Sequence, residues 1–159
     1  MYLKKSDYQI RIRINLLDLI LENIAVNSEN NPTADEILAA ADKIACDTIA
    51  TKAGVLYNVE PEFEKVGDAR NGYLLALGLS IGLYELYQRT DDYEVPEKVI
   101  KNYNDAFKSL DEISRGKEPL NLPPKEQEGD SNQPGEEDAE TSGFGLRRIG
   151  SAPKRSHRI

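Results

Sequence analysis

Residues 74–84 read Leu-Leu-Ala-Leu-Gly-Leu-Ser-Ile-Gly-Leu-Tyr and are apolar nearly all the way round a helix. A helix of this composition is usually the buried one, about which amphipathic helices pack. We predict that it is capped by Asp68 and runs to about Arg89. Gly78 and Gly82 lie one turn apart within it. Because each interior glycine costs about 1 kcal/mol relative to alanine, we expect close contact with a neighbouring helix at this pair.

The preceding helix has a clear start signal. Thr33 and Glu36 have the spacing of a capping box, in which a hydroxyl and a carboxylate satisfy the first free amides of a helix. Gly54 is the predicted end of this helix. Apolar residues at spacings of three and four predict one buried stripe between them: Ile37, Leu38, Ala41, Ile44, Ala45, Thr48 and Ile49.

The first segment is ambiguous, because residues 9–14 alternate like a strand, whereas a longer apolar set recurs with helical spacing. We favour a helix from Asp7 to about Ala25, with a break near Asn15 as an alternative. Its predicted buried face is Ile10, Ile14, Leu17, Leu21 and Ile24.

The last helix is predicted to have Pro96 as its first residue and to end at Gly116. Its predicted stripe is Val99, Ile100, Tyr103, Ala106, Phe107, Leu110 and Ile113. The irregular connector 54–68 is expected to be held on the helices by its apolar residues. The fold class that follows is all-α: a compact four-helix bundle, or a five-helix bundle if the first helix is broken, with a long extended C-terminal tail.

The net charge of −8 is unevenly distributed along the 159 residues. Residues 1–117, the predicted bundle domain, carry −6. Residues 118–140, a spacer rich in acids, proline and glycine, carry −7, and residues 141–159 carry +5. The composition after Gly116 buries too little apolar surface to offset the entropy of ordering, so we expect a disordered tail in the isolated chain.

The basic C-terminal arm, residues 141–159, is the predicted partner-binding site. It combines apolar anchors with bases that can pair with carboxylate or phosphate. The predicted contact residues are Phe144, Leu146, Arg147, Arg148, Ile149, Lys154, Arg155 and Arg158. A solubilising tail and phosphate binding to nucleic acid are alternatives, but the acidic spacer repels phosphate, so docking on a protein is favoured.

Catalytic and metal sites find little support in the sequence. The single cysteine, Cys46, excludes a disulfide framework and a thiolate metal site. A Ser-His-Asp site would rest on the single histidine, His157, and would need the C-terminal end folded into the core, which its surroundings disfavour. Paired acids such as Asp91/Asp92 and Glu136/Glu137 fall in predicted turn or tail, where nothing encloses them. A cation site from Asp35, Glu36, Asp42 and Asp47 lacks the alternating ligands of a calcium loop. We therefore expect no enzyme, no cofactor and no metal, and Cys46 as a packed thiol.

Four tyrosines are expected to line helix contacts with their hydroxyls at the edge, namely Tyr73, Tyr84, Tyr87 and Tyr103. An interface role for some of the tyrosines is the alternative. The apolar run from Tyr73 to Tyr84 is too short to cross a bilayer, which takes roughly 20 residues.

The order and spacing of several short motifs over residues 1 to about 123 resemble the Mu-type phage neck proteins, also called head-completion or head-to-tail connector proteins. The motifs are Met1-Tyr2-Leu3 with Asp7-Tyr8, Phe63-x-x-x-Gly67-Asp68-x-Arg70-Asn71, Leu83-Tyr84-x-Leu86 with Arg89, then Pro96, Tyr103, Ala106, Leu110, Gly116 and Leu122-Pro123. The chain departs from that pattern at residues 49–54, where members commonly have an aromatic and basic run, and in its long tail.

The resemblance implies a non-enzymatic virion protein that is assembled in the host cytoplasm and located in the neck between capsid and tail. It implies a homo-oligomeric ring, twelve-fold in symmetry, that contacts the portal protein and neighbouring connector or tail proteins. Packaged DNA would lie nearby without sequence-specific binding, and no membrane is involved. The alternative from the residues alone is a small helical nucleic-acid-binding regulator that uses the basic arm.

Overall fold

The computed structural model describes residues 1–90 and 92–125, and in these residues the fold is all-α. Its five α-helices are α1 (Ile14–Asn27), α2 (Ala34–Ala53), α3 (Glu60–Phe63), α4 (Gly72–Gln88) and α5 (Glu97–Ser114), and two 3₁₀ helices span Lys5–Ile10 and Gly67–Ala69. Four of the α-helices are long, and α3 is a single turn, so the prediction of a helical bundle is confirmed. No described helix is long and apolar enough to span a bilayer.

Helix α4 lies at the centre of the bundle, as its apolar sequence predicts. It packs against α2 and α5, and α1 packs on α2. Its start differs from the prediction: Asp68 lies in the second 3₁₀ helix, and Asn71 caps α4 instead. The Asn71 side chain accepts hydrogen bonds from the backbone N–H groups of Tyr73 (3.0 Å) and Leu74 (3.2 Å), which satisfies two amides that have no partner inside the helix.

Helix α2 begins and ends where the sequence predicts. The Thr33 backbone N–H donates to the Glu36 carboxylate (2.8 Å), and the Glu36 N–H donates to the Thr33 hydroxyl (3.3 Å), so the capping box is confirmed. The helix ends at Ala53, next to Gly54. Most of the predicted stripe is buried, but Ile44 is 41% exposed and Thr48 is half-buried.

The first segment is not one continuous helix from Asp7 to Ala25, and the alternative of a break near Asn15 is confirmed. A 3₁₀ helix ends at Ile10, and α1 begins only at Ile14, so the break lies before Asn15. Ile10 is 73% exposed rather than buried, whereas Tyr2, Leu3 and Tyr8 are fully buried. The N-terminal residues are bound against α2 and α4, and this tertiary contact overrides the helical periodicity.

The glycine pair of α4 is close-packed against the N-terminal segment, and Gly78 also faces helix α2. A Cβ on Gly78 would lie 3.2 Å from a methyl group of Leu3, and a Cβ on Gly82 would lie 2.4 Å from the Tyr8 hydroxyl. The two glycines therefore admit the N-terminal segment, including the 3₁₀ helix that holds Tyr8. A Cβ on Gly78 would also lie 3.6 Å from Ile49 of α2, so the predicted contact with a neighbouring helix is confirmed in part.

Helix α5 follows Pro96, which caps the helix rather than forming its first residue. Gly116 adopts φ +69°, a left-handed conformation that glycine tolerates best, so the predicted stop is confirmed. Val99, Ala106, Leu110 and Ile113 are buried, as their spacing predicts; Tyr103 and Phe107 are half-buried, and Ile100 is 39% exposed, against the prediction.

After α5 the chain turns back over the bundle. Leu120 is 8% exposed, and residues 123–125 run antiparallel to residues 56–58, with one β-bridge between Tyr57 and Pro124. The first eight residues of the predicted spacer therefore contact the helical body. The connector 54–68 is held in part by its apolar residues, because Val59 is buried and Phe63 packs on Tyr2, although Val55 and Val66 are exposed.

Candidate interaction surfaces

A buried carboxylate on α2 holds the N-terminal segment. Asp42 is only 6% exposed, and its two oxygens accept hydrogen bonds from the backbone N–H groups of Tyr2 (2.9 Å) and Leu3 (2.7 Å). Hydrogen bonds to a charged acceptor are stronger than neutral ones. Asp42 is thus engaged by the chain itself, and it is not a member of the cation site considered from the sequence.

Arg70 ties the same segment to the loop before α4. Its guanidinium donates to both carboxylate oxygens of Asp7 (2.6 and 3.0 Å) and to the Tyr2 carbonyl (2.6 Å). Both side chains are largely buried, at 8% exposed for Arg70 and 12% for Asp7. The hydrogen bonds from Arg70 lower the pKa of Asp7 below its ordinary value, so this carboxylate is held ionised.

A second buried carboxylate, Glu62 on α3, completes the cluster. Glu62 accepts a hydrogen bond from the backbone N–H of Asn71, and its carboxylate forms an ion pair with the Lys65 ammonium (2.7 Å). Beside it, the rings of Tyr2 and Phe63 meet edge to face at 5.4 Å. The Tyr2 hydroxyl donates to the Asn71 carbonyl at 3.3 Å.

We call this set the N-terminal cluster: Tyr2, Leu3, Asp7, Tyr8, Asp42, Glu62, Phe63, Arg70 and Asn71. Seven of these nine residues belong to the motifs on which the resemblance rests, so the structure brings two motifs that are distant in sequence into one place. From the sequence, Asp42 was considered only for a cation site, and Glu62 was not predicted; the position of Asp42 beside the buried Ala41 and Ala45 in the α2 stripe indicates its burial. The carboxylates of the cluster already have partners within the chain. We therefore assign the cluster to stabilising the fold.

A shallow groove lies between α2 and α5, with a volume of about 360 Å³. Its lining is Ile44, Asp47, Thr48, Thr51, Lys52 and Phe107. Lys52 forms an ion pair with Asp111 across the two helices (2.7 Å). The groove therefore offers apolar side chains and hydroxyls with its charges already paired, which suits a side chain of another protein better than an ion.

The aromatic residues of α4 and α5 form a row between these helices. Tyr84 and Tyr103 stack with their ring centroids 3.9 Å apart, and Phe107 follows at 4.7 Å from Tyr103. Tyr87 is buried, and Tyr73 is 37% exposed, with its hydroxyl donating to Glu118 (2.6 Å). The expectation that these four tyrosines line helix contacts is confirmed: Tyr84, Tyr87 and Tyr103 lie between the helices, and Tyr73 of α4 lies beside Ser109 of α5 while its hydroxyl also contacts Glu118.

The remaining chemical candidates are inert in this arrangement. Cys46 is half-buried, and burial together with the nearby Asp42 carboxylate raises its pKa to about 12, so little thiolate forms at neutral pH. Asp92 is exposed and accepts a hydrogen bond from Asn23. Across residues 1–90 and 92–125, no three histidine, cysteine or acidic side chains are grouped as metal ligands.

The predicted arm residues, Phe144 through Arg158, lie outside the described residues, as do Glu136, Glu137 and Asp91. The acidic residues that the sequence singled out on α2 separate in space: Asp42 is buried, and Asp35, Glu36 and Asp47 are exposed.

The fold and these surfaces define a small all-α bundle closed by an N-terminal cluster and bearing a groove between α2 and α5. The family model described as Bacteriophage Mu, Gp36 matches residues 71–138, which begin at the Asn71 cap and include α4 and α5. The match supports a Mu-type phage protein, with a structural or assembly role and association with the virion. No curated protein and no solved structure matches the chain.

Proposed function

We propose that this chain is a non-enzymatic head-to-tail connector subunit, which forms a ring on the portal vertex and joins the DNA-filled capsid to the tail. The observation that carries the proposal is the match to the Bacteriophage Mu, Gp36 family model through α4 and α5, the helices that build much of the core. The resemblance to phage neck proteins before residue 71 supports it, because those motif residues meet in the N-terminal cluster.

Ring assembly requires two different surfaces on each subunit, since neighbours related by rotation contact one another head to tail. We take two surfaces with exposed apolar side chains as the proposed contacts. One is the groove between α2 and α5, with Ile44 at 41% exposure; the other is α1, where Leu19 (49%) and Val26 (74%) lie two turns apart on one face.

The basic arm is the proposed contact with the portal or with a neighbouring subunit. Its five bases give residues 141–159 a charge of +5, whereas residues 1–117 carry −6. Opposite charges of this size favour encounter between an arm and an acidic protein surface. Coupled folding of such a segment on its partner would restrict its ordering to the assembled state.

The acidic body also suits a position near packaged DNA. A surface of net negative charge repels phosphate, so DNA passing through a ring would not adhere to its wall.

A nucleic-acid-binding regulator is the second candidate, and the five bases of the arm are the observation in its favour. Removal of residues 141–159 tests it. A regulator would lose salt-dependent DNA binding on this truncation; a connector has no such binding to lose.

The connector proposal is tested by a stop codon early in the gene of the parental phage or prophage. We expect DNA-filled heads and separate tails, with infectious particles restored by the wild-type chain supplied in trans. Supplying a chain with the five arm bases changed to glutamine should restore far fewer particles. The matched control changes three exposed lysines of α5, Lys98, Lys101 and Lys108, to glutamine. Normal yields of joined particles without the chain would contradict the proposal.

A further inference from the structure

The chain does not leave the bundle at the end of α5. After the Gly116 turn, Lys117 N–H donates to the Glu112 carbonyl (2.9 Å), and the Glu118 carboxylate accepts from the Tyr73 hydroxyl (2.6 Å). Leu120 is then buried, and its N–H donates to the Tyr57 hydroxyl at 3.1 Å. Residues 117–120 are therefore attached to α4, to α5 and to the loop that follows α2.

Residues 123–125 form a short antiparallel pairing with residues 56–58 of the loop that follows α2. Asn58 N–H donates to the Pro123 carbonyl (3.0 Å), and Lys125 N–H donates to the Leu56 carbonyl (2.8 Å). The Lys125 ammonium also donates to the Gly54 carbonyl at 3.3 Å. The acidic and proline-rich composition of residues 118–140 gives no indication of this attachment, because its hydrogen bonds are made mostly by backbone groups.

We propose that residues 117–125, the exit clamp, fix the departure of the C-terminal tail at the end of α2 and thereby limit which partner sites the basic arm reaches. The inference rests on the proposed function of the arm. From Lys125, the 18 residues up to Gly143 span at most about 60 Å when fully extended. From Gly116, the chain up to the same residue would span about 90 Å.

The shorter tether confines the arm to a smaller volume, which raises its effective concentration at a correctly placed site and excludes distant ones. The position of the clamp beside Gly54 also sets the side of the bundle from which the tail starts. Opening the clamp would lengthen the tether and lower the rate of correct joining without altering the arm.

The clamp is tested with a paired cysteine variant, Tyr57→Cys with Pro124→Cys, in a Cys46→Ser background. Residues 57 and 124 face each other in the bridge, and the flanking hydrogen bonds make them a non-hydrogen-bonded pair. The Cα separation of such pairs, about 4.5 Å, is compatible with a disulfide. The reduced form lacks the Tyr57 hydroxyl and its bond to Leu120, and the oxidised form closes the clamp covalently.

Two readouts are needed: hydrogen exchange of the Leu120 and Lys125 amides, and joining of isolated heads and tails in vitro. We expect exchange in the reduced form to be at least tenfold faster than in the Cys46→Ser parent, and joining to fall severalfold. Oxidation should restore joining and the slow exchange of the Lys125 amide, which keeps its Leu56 acceptor, whereas Leu120 lacks its Tyr57 acceptor in both forms and should stay fast. Tyr57→Phe should reproduce the faster exchange at Leu120, whereas Tyr93→Phe, at a half-buried tyrosine away from the clamp, should not.

The outcomes separate the two proposals. If deletion of residues 141–159 leaves joining unchanged, the proposed function of the arm fails and the clamp inference fails with it. If that deletion abolishes joining, but the reduced variant exchanges rapidly and joins heads to tails like its parent, only the clamp inference is overturned. Unchanged exchange in the reduced variant would also overturn it.

Discussion

At the scale of single residues, the structure depends on charged groups that the bundle buries with their partners. Arg70 and Asp7 form a two-point ion pair that also binds the Tyr2 carbonyl. Removing one member of a largely buried pair leaves the other without compensation, which typically costs about 3–5 kcal/mol. By contrast, the exposed pair of Lys5 and Asp18 is of the kind that contributes less than about 1 kcal/mol.

The Arg70–Asp7 pair predicts a specific pH dependence. The pKa of Asp7 in the folded chain lies below its ordinary value of 3.8. Its contribution to stability is therefore complete above about pH 4 and is lost as the pH falls through the folded pKa. The free energy of unfolding of wild type should exceed that of Asp7→Asn at pH 7, and the gap should narrow below pH 4. Urea unfolding between pH 7 and pH 3 measures it, with Asp18→Asn as the exposed control. A gap that stays constant with pH would contradict the role of this pair.

A second residue-scale prediction concerns the contact between Gly82 and Tyr8. The Tyr8 hydroxyl is buried, and among residues 1–90 and 92–125 it has no hydrogen-bond partner. A Cβ at position 82 would lie 2.4 Å from it. Gly82→Ala should therefore destabilise the fold by about 1–3 kcal/mol through overpacking, despite the better helix propensity of alanine.

The double variant Gly82→Ala with Tyr8→Phe should recover most of that loss, because the phenylalanine ring lacks the oxygen that clashes. Gly72→Ala is the matched control, since a Cβ there meets nothing within 4 Å. The four free energies of unfolding form a double-mutant cycle. Additive effects would show that the two residues are not in contact.

At the scale of elements, prediction from sequence succeeded where the signals were local. The capping box of Thr33 and Glu36 marks the start of α2, and Gly116, in a left-handed backbone conformation, marks the end of α5. Prediction failed where contacts between residues that are distant in the sequence determine the local structure. Tyr2 and Leu3 are buried and bind Asp42 of α2, whereas the predicted Ile10 is exposed, and Asn71 rather than Asp68 caps α4, although both residue types can cap a helix. The glycine pair indicated a close contact but not its partner.

The capping box supplies the element-scale prediction. Thr33→Ala removes the hydroxyl that accepts from the Glu36 N–H, and the loss of such a cap typically costs about 1 kcal/mol. Thr33→Ser, which keeps the acceptor, should cost far less. Thermal or urea unfolding measures both variants. An equal loss in the serine variant would show that the hydroxyl is not the stabilising group.

At the scale of the whole molecule, the attachment of residues 117–125 sets the extent of the folded unit. A chain that ends after Lys125 should unfold with the same cooperativity and midpoint as the full chain. A chain that ends after Lys117 loses the buried Leu120 side chain, whose burial contributes about 1.5–3 kcal/mol, and should melt at a lower temperature. Calorimetry of the two truncations measures this difference. Equal midpoints would place the end of the folded unit at α5.

The candidate site follows the same division between local and distant information. The basic arm was predicted from its charge, and its residues lie outside the described ones. The N-terminal cluster joins positions up to about 69 residues apart, such as Tyr2 and Asn71. No local periodicity indicates such contacts. Only the order and spacing of the motifs indicated that these positions are related.

The central claim, that this chain is a connector in the phage neck, is tested most directly by electron cryomicroscopy of intact particles. We expect a ring of density between portal and tail into which the bundle of α1, α2, α4 and α5 fits in repeated copies. It also predicts that particles made without the chain lack this ring. A neck whose density is fully accounted for by other proteins, or that is unchanged in particles made without the chain, would contradict the claim.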